Sequence, residues 1–172
     1  MHNYKRVIKA ILSPNVMVDS IKDIDLQDYY NQGFRQIFLD VDNTIMAFSE
    51  DQCSLDNEKW VKDARKIGFN IYVVSNNSNW LRIYRFAKQT GLNGYYFAGK
   101  PLTFTGRFIL NQDKLNTKET LVIGDQLLTD VIFGNWLGSY TILVDPMDRK
   151  SNPIKRVQYS VESKLLEWIG LK

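Results

Sequence analysis

Gln36-Ile37-Phe38-Leu39-Asp40-Val41-Asp42-Asn43-Thr44 is the stretch whose reading decides the fold. Residues 36–39 form an apolar run that reads as a buried strand. The run ends in two carboxylates one residue apart. Residues i and i+2 of a strand point to the same side, so Asp40 and Asp42 are expected to crowd together at the strand's C-terminal end. Carboxylates that close repel each other and resist desolvation. A fold keeps such a pair where something positive sits between them or where they do chemistry. In open α/β sheets the C-terminal strand edge is also where ligands bind.

The same arrangement recurs downstream. Residues 45–53 have no clean period and read as a loop or small hairpin over the strand edge. Ser54 reads as an N-cap, Trp60, Val61, Ala64 and Ile67 fall at helical spacing, and Gly68 ends that helix. Residues 69–74 are β-branched and aromatic, a second strand, running into Ser75-Asn76-Asn77-Ser78. Asn77 or Ser78 caps the next helix, which carries Trp80, Leu81, Tyr84 and Ala87 and stops at Gly91. Residues 95–97 read as a third strand before Gly99-Lys100-Pro101, and Pro101 suits the first turn of a helix running towards Leu110. Residues 121–123 read as a fourth strand, closed by Gly124-Asp125, with a helix opening at Gln126. Residues 139–144 read as a fifth, after Gly138. The stretch 147–157 is polar and basic, and residues 161–171 read as a last helix with Leu165, Leu166 and Ile169 inward.

Upstream, residues 4–12 suit a short amphipathic helix with Val7, Ile8 and Ile11 apolar and Lys5, Arg6 and Lys9 polar. It reads as a helix docked on the body; the sharper alternative lays it on an anionic membrane surface. Asp25 caps a further short helix that ends near Gly33. Strands alternate with helices of ten to fifteen residues throughout. The expectation is therefore an α/β, three-layer, Rossmann-like fold: a parallel sheet of about five strands, helices on both faces, and no large cap. Nothing marks a linker or a repeat, so residues 1–172 read as a single domain.

Composition narrows the chemistry. The net charge is +3, from 22 basic and 19 acidic residues, a weak reason to expect nucleic acid. DNA is not expected as a partner, and RNA is the lesser reading. The single cysteine, Cys53, excludes an internal disulfide and fits a reducing, cytoplasmic setting. It has no histidine nearby and reads as a small residue rather than a nucleophile. The only histidine is His2, which argues against a histidine base or a histidine-rich zinc site. No apolar run approaches a transmembrane span, and the N-terminus lacks the apolar core of a signal peptide. The chemistry falls to Asp, Lys, Ser and Thr.

Four strand ends carry such residues: Asp40, Asp42 and Thr44; Ser75 and Asn76; Lys100; Asp125 with Asp130. In a parallel sheet these ends open on one edge and can converge. Taken singly, each has an ordinary reading as a turn residue, a helix cap or a solvated charge. Asp130 would also serve a helix dipole, and Thr44 would equally cap a loop. Taken together, four carboxylates call for a hard, oxygen-seeking cation, and Mg²⁺ suits few carboxylates plus a phosphate.

In this order, DVDNT, a serine after an apolar strand, Gly-Lys-Pro and GDQLLTD, the chain resembles the haloacid dehalogenase (HAD) superfamily of phosphohydrolases. Within it, Asp-Asn-Thr, Ser-Asn-Asn, Gly-Lys-Pro, Gly-Asp-Gln-x-x-Thr-Asp-Val and Gly-Asn before Thr-Ile-Leu-Val resemble the YqeG family of the small-capped subclass III. The resemblance spans roughly residues 14–146. It departs at Trp136, where many relatives carry a basic residue, so no substrate or partner contact is carried over there.

The resemblance implies a Mg²⁺-dependent phosphatase that works through an aspartyl-phosphate. Asp40 would be the nucleophile and Asp42 the acid and base. The metal would be held by Asp40, the backbone carbonyl of Asp42, Asp125 and, through its shell, Asp130. Ser75, the backbone around Asn76, and Lys100, with Thr44, would bind the phosphoryl group. Eukaryotic relatives acting on phosphatidylglycerophosphate imply a lipid phosphate as one substrate; a soluble phosphomonoester or a phosphoprotein is another. A lipid substrate would require peripheral contact with the membrane surface. A reading from a different class is an interaction module on an RNA or ribosome-linked partner with vestigial hydrolysis, resting on Arg149, Lys150, Lys155 and Arg156.

Overall fold

The computed structural model describes residues 2–149 and 153–171. Six strands form one sheet: β1 Val16–Val18, β2 Gln36–Leu39, β3 Asn70–Val74, β4 Asn93–Tyr95, β5 Thr120–Gly124 and β6 Tyr140–Val144. Their order is β1-β6-β5-β2-β3-β4, and every adjacent pair is parallel. Among the described residues, seven α-helices accompany them: α1 His2–Leu12, α2 Leu26–Asn31, α3 Leu55–Ile67, α4 Trp80–Thr90, α5 Phe104–Gln112, α6 Ile132–Leu137 and α7 Pro153–Ile169.

Side-chain alternation along the strands divides the core into two faces. Ile37, Leu39, Ile71, Val73, Leu121 and Ile123 point to one, where Leu26 of α2, Trp60 and Val61 of α3 and Ile83 and Phe86 of α4 cover them. Phe38, Tyr72, Val74 and Val122 point to the other, against Ile109 and Leu110 of α5 and Phe133 and Leu137 of α6. Leu143 extends that second face to Leu12 of α1 and Leu166 and Ile169 of α7. All four residues of β2 are buried, as a central parallel strand requires. The chain steps from β2 to β3 on one side and later to β5 on the other. The β2–β5 boundary is therefore the switch point, and its C-terminal edge is the natural crevice.

The three-layer α/β reading holds, with one strand more than expected. β1 is three residues between Pro14 and Asp19, too short to show a period, and it pairs with β6 at the sheet edge. The third expected strand lies two residues earlier, at Asn93–Tyr95, because Phe97 turns away with a positive φ of 50°. Helix α5 starts at Phe104 rather than at Pro101. Helix α4 is capped by Asn79, whose side chain accepts from Arg82 N, not by Asn77 or Ser78. The capping by Ser54 and Asp25 is as expected. The polar stretch after residue 147 is helical from Pro153, because Tyr159 and Glu162 are buried alongside Leu166. Lys150 lies outside the described residues.

Candidate active site

The segment after β2 is a tight turn. Val41 carbonyl accepts from the amides of Thr44, Ile45 and Met46, and Asn43 sits in the left-handed region at φ 66°. Asparagine tolerates that conformation better than most residues. Its side chain locks the turn, donating to the Tyr159 hydroxyl at 2.9 Å and the Asp148 carbonyl at 3.1 Å and accepting from Phe48 N at 2.9 Å. Asp40 N donates to Ile123 O at 2.9 Å, which holds Asp40 in line with β5. The turn thus aims Asp40, Asp42 and Thr44 at the β2–β5 crevice.

Lys100 is the centre of this crevice. Its ammonium donates to Asp40 Oδ1 at 2.7 Å and to Asp130 Oδ1 at 2.5 Å, with all three side chains buried. Burial opposes its charge, but the flanking Asp130 and Asp40 outweigh it and lift the amine above the usual lysine range. Asn76 fixes the lysine's backbone, donating to Lys100 O at 2.8 Å and accepting from Lys100 N at 2.7 Å. Ser75 is buried beside it, its hydroxyl oxygen accepting from Asn77 N at 3.1 Å.

Asp130 comes from a π-helical turn, Leu127–Val131, that follows β5. Such widened turns cluster at functional sites. Asp130 Oδ2 accepts from Gln126 N at 3.1 Å. The turn fits only because residue 124 is glycine: a Cβ there would lie 2.2 Å from Asp130 Cγ. Asp125 is held by hydroxyls, Tyr159 at 2.5 Å and Thr44 at 3.3 Å. Burial, reinforced by the charges of Asp40 and Asp130, pushes the Asp125 carboxyl well above its ordinary range. Burial does the same to Asp40, up to about 6, with Lys100 opposing and Asp130 and Asp42 adding. Oxygens of Asp40, Asp125 and Asp130 lie within 4.8 Å of one another.

Asp42 stands apart from that trio. Its Oδ1 accepts from Arg82 Nε at 2.8 Å and its Oδ2 from Asn77 Nδ2 at 2.7 Å. Arg82 also donates to the carbonyls of Ala47, at 2.9 Å, and Glu50. It therefore ties α4 to the loop after β2 while it holds Asp42.

A cleft of about 670 Å³ opens over these groups. Asp40, Asp42, Ser75, Asn76 and Lys100 line it, joined by Asn77, Arg82 and Arg85 and by Lys155 and Gln158 of α7. Thr44 does not line this cleft: it is buried beneath it, its hydroxyl 3.4 Å from Asp40 Oδ2 and 3.3 Å from Asp125 Oδ1 with one proton shared between them, a brace between carboxylates rather than a wall of the cleft. Sequence reading missed Arg82, Asn77 and Tyr159. Nothing in the helical period sets Arg82 apart from an ordinary surface position on a helix, yet its side chain is only 10% exposed. Its position two residues into a helix that leaves the Ser-Asn-Asn strand end was the available signal. Tyr159 carried none, because it is 34 residues from Asp125. Cys53 is buried, and burial with Glu58 and Glu50 nearby pushes its thiol up to about 11, in keeping with a structural role.

The donor set suits a hard dication. Four buried carboxylates face two buried cations, Lys100 and Arg82, which pair with Asp40, Asp130 and Asp42. Asp125 accepts from the Tyr159 and Thr44 hydroxyls and also feels the charge of Lys155, so the four carboxylates still outnumber the cations around them and negative charge is left over beside Asp40. Oxygen-only ligands and excess charge fit Mg²⁺.

Comparisons with known proteins agree with this geometry. Residues 97–153 match the family described as HAD-hydrolase-like. The chain is 30% identical over 166 residues to the probable phosphatase YqeG of Bacillus subtilis, covering 96% of each. It is 26% identical to the mitochondrial phosphatidylglycerophosphatase GEP4 of Saccharomyces cerevisiae, covering 94% of this chain and 91% of that one. It is 24% identical to phosphatidylglycerophosphate phosphatase 1 of Arabidopsis thaliana, covering 95% of this chain and 51% of that protein. The fold also matches an uncharacterized protein from Listeria monocytogenes, with a TM-score of 0.54 at 14% identity over 78% of this chain and 98% of the other. With the crevice, its carboxylates and near-full-length similarity in agreement, this chain belongs to the YqeG-type phosphatases of the HAD superfamily.

Proposed function

We propose that the chain is a single-domain, Mg²⁺-dependent phosphatase that hydrolyses a phosphate monoester through an aspartyl-phosphate on Asp40. The observation that carries this reading is the buried ammonium of Lys100 between Asp40 and Asp130, at a cleft where Ser75 and Asp42 also open. A carboxylate that must attack an anion needs positive charge beside it, and Lys100 supplies part of that. Asp40, Asp125 and Asp130, with the backbone carbonyl of Asp42, would hold the metal, which supplies the rest of the charge neutralisation when bound.

In the first step an Asp40 oxygen bonds to phosphorus and the bond to the leaving oxygen breaks. Asp42 gives that oxygen a proton. In the second step water bonds to phosphorus, Asp42 takes its proton, and the Asp40–phosphorus bond breaks to free inorganic phosphate. Ser75, the backbone at Asn76 and Lys100 hold the phosphoryl oxygens throughout. Thr44 braces Asp40 from beneath.

The substrate class we propose is a lipid phosphate monoester like that named for the yeast and plant relatives. The cleft has no large cap to enclose a small metabolite. The test is phosphate release from p-nitrophenyl phosphate and from phosphatidylglycerophosphate in mixed micelles, with Mg²⁺ and with chelator. Metal-dependent release that disappears in Asp40→Asn is expected. Absence of metal-dependent release from either substrate would overturn the catalytic reading, and release from the soluble ester alone would overturn the lipid assignment.

A further inference from the structure

The region around the phosphate-binding edge exposes a group of large apolar side chains. Trp80 and Tyr84 on α4 are 58% and 54% exposed; Phe97 and Phe104 are 73% and 76% exposed. Tyr96 and Leu102 are exposed between them. Trp80, Tyr84 and Tyr96 line one groove along β4. Phe97 N donates to Asn77 O at 3.1 Å, Leu102 N to Gly99 O at 2.9 Å and Thr105 Oγ1 to Ala98 O at 2.8 Å. The loop that carries Lys100 is thus flanked on both sides by aromatic groups. Helix α4 separates the two surfaces: Leu81, Arg82 and Arg85 face the cleft, while Trp80 and Tyr84 face the groove.

Two further facts select an occupant. Residues 64–112 contain no Asp or Glu, and Arg85, Lys88 and Arg107 among them are exposed. An acid-free, basic setting around exposed aromatics complements an anionic interface with an apolar interior. Aromatic rings and cationic side chains are the groups that settle at the boundary of headgroups and acyl chains. Phe97, moreover, holds a left-handed φ of 50° in the open. A bulky residue in that region is strained, and among the described residues Phe97 joins none of the core clusters.

We propose that the rim formed by Trp80, Tyr84, Tyr96, Phe97, Leu102 and Phe104 seats the protein on an anionic lipid bilayer, with the cleft mouth held at headgroup level. This rests on the lipid-phosphate reading above and goes beyond it by naming the docking surface. It also assigns docking to the α4–α5 side rather than to α1. Helix α1 leaves Val7 and Ile8 exposed, but Leu12 packs into the body and Asn135 anchors the helix by donating to Ile11 O at 2.7 Å.

The test is co-sedimentation of the full chain with vesicles of equal parts phosphatidylglycerol and phosphatidylcholine, against phosphatidylcholine alone. Binding to the anionic vesicles is expected. Phe97→Asn with Phe104→Ser, both at open positions, should lower the partition coefficient by roughly tenfold or more, two aromatic rings being a large part of the inserted area. Turnover of p-nitrophenyl phosphate by this double variant should stay that of the parent. Val7→Ser with Ile8→Ser should bind vesicles like the parent. The proposal is overturned by parental vesicle binding in the rim variant, by loss only in the α1 variant, or by indifference to phosphatidylglycerol. A dimer, or a complex with single-stranded RNA, that the rim variant abolishes while vesicle binding is absent would also overturn it. If the protein binds vesicles through the rim but hydrolyses no phosphate ester, the catalytic reading fails and the docking surface stands.

Discussion

Arg82 Nε donates to Asp42 Oδ1 at 2.8 Å, and the same guanidinium spans to the carbonyls of Ala47 and Glu50. One side chain thereby sets the direction of the proposed acid and closes the loop after β2 onto α4. A planar fork can do both at once; a lysine ammonium cannot match that geometry. Arg82→Lys is therefore expected to lower kcat for alkyl phosphates by roughly 10–10²-fold, within the usual range for impaired acid–base help. KM should change little, and the pH–rate profile should move. An unmoved profile with parental kcat would show that Arg82 only ties the loop.

The two carboxylates of the turn have different surroundings, so they should fail differently. Asp40 shares Lys100 with Asp130, whereas Asp42 is held by Arg82 and Asn77. Asp40→Asn should abolish turnover, because an amide cannot form the acyl phosphate. Asp42→Asn should slow it by roughly 10²–10⁴-fold. That loss should shrink for nitrophenyl phosphate, whose leaving group needs no proton, and persist for alkyl esters. Mg²⁺ affinity, measured by calorimetry, should survive Asp42→Asn and drop in Asp125→Asn. Equal loss of affinity in both would make Asp42 a side-chain ligand.

Much of this site was legible because its parts sit at strand ends. A parallel sheet brings such ends to one edge, so Asp40, Ser75 and Asp125 converge there, while Lys100, beyond the end of β4, is carried in by a loop that Asn76 holds. What sequence could not show was the use of side chains within loops. Asn76 reads as lending its backbone to the phosphate, and the sequence does not show that its side-chain amide holds the Lys100 backbone. Thr44 reads as phosphate binding and instead bridges two carboxylates from below. Tyr159 reaches Asp125 only because α7 begins eight residues before Val161, where its apolar period is clear. Strand β1 escaped notice because three residues show no period, and its place in the sheet depends on pairing with β6.

Gly124 makes a sharper test of how the site is built. Its missing side chain lets Asp130 approach the end of β5, and a Cβ there would collide with Asp130 Cγ at 2.2 Å. Asp130 is fixed there, by Lys100 and by Gln126 N. Gly124→Ala should therefore displace Asp130 rather than be absorbed. The expected result is a loss of Mg²⁺ affinity and of turnover comparable to that of Asp130→Asn, with thermal stability lowered as overpacking costs about 1–3 kcal/mol. Parental metal affinity in Gly124→Ala would mean that Asp130 is not needed around the metal.

The buried carboxylates also set how stability depends on pH and metal. Burial raises Asp40 to about 6 and Asp125 well above its ordinary range. In the metal-free protein the folded state therefore keeps protons that the unfolded chain releases near pH 4. Where the folded state binds more protons, stability falls as pH rises, and the loss is complete above the folded pKa. The metal-free protein is thus expected to melt at a higher temperature near pH 5 than near pH 7.5. Glu58 and Asp63 do not disturb this window, because their carboxyls are lowered by lysine and glutamine partners and titrate below it. Mg²⁺ binds the deprotonated trio, so it should raise the melting temperature strongly at pH 7.5 and weakly at pH 5. Asp125→Asn removes one of the raised groups. It should be more stable than the parent without metal at pH 7.5, and Mg²⁺ should add little to it. Differential scanning calorimetry at both pH values, with Mg²⁺ and with chelator, reads all four corners. A metal-free parent that loses stability on going from pH 7.5 to pH 5 would mean that Lys100 and Tyr159 hold these carboxylates ionised without metal. The case for a dication completing the charge balance would then fall.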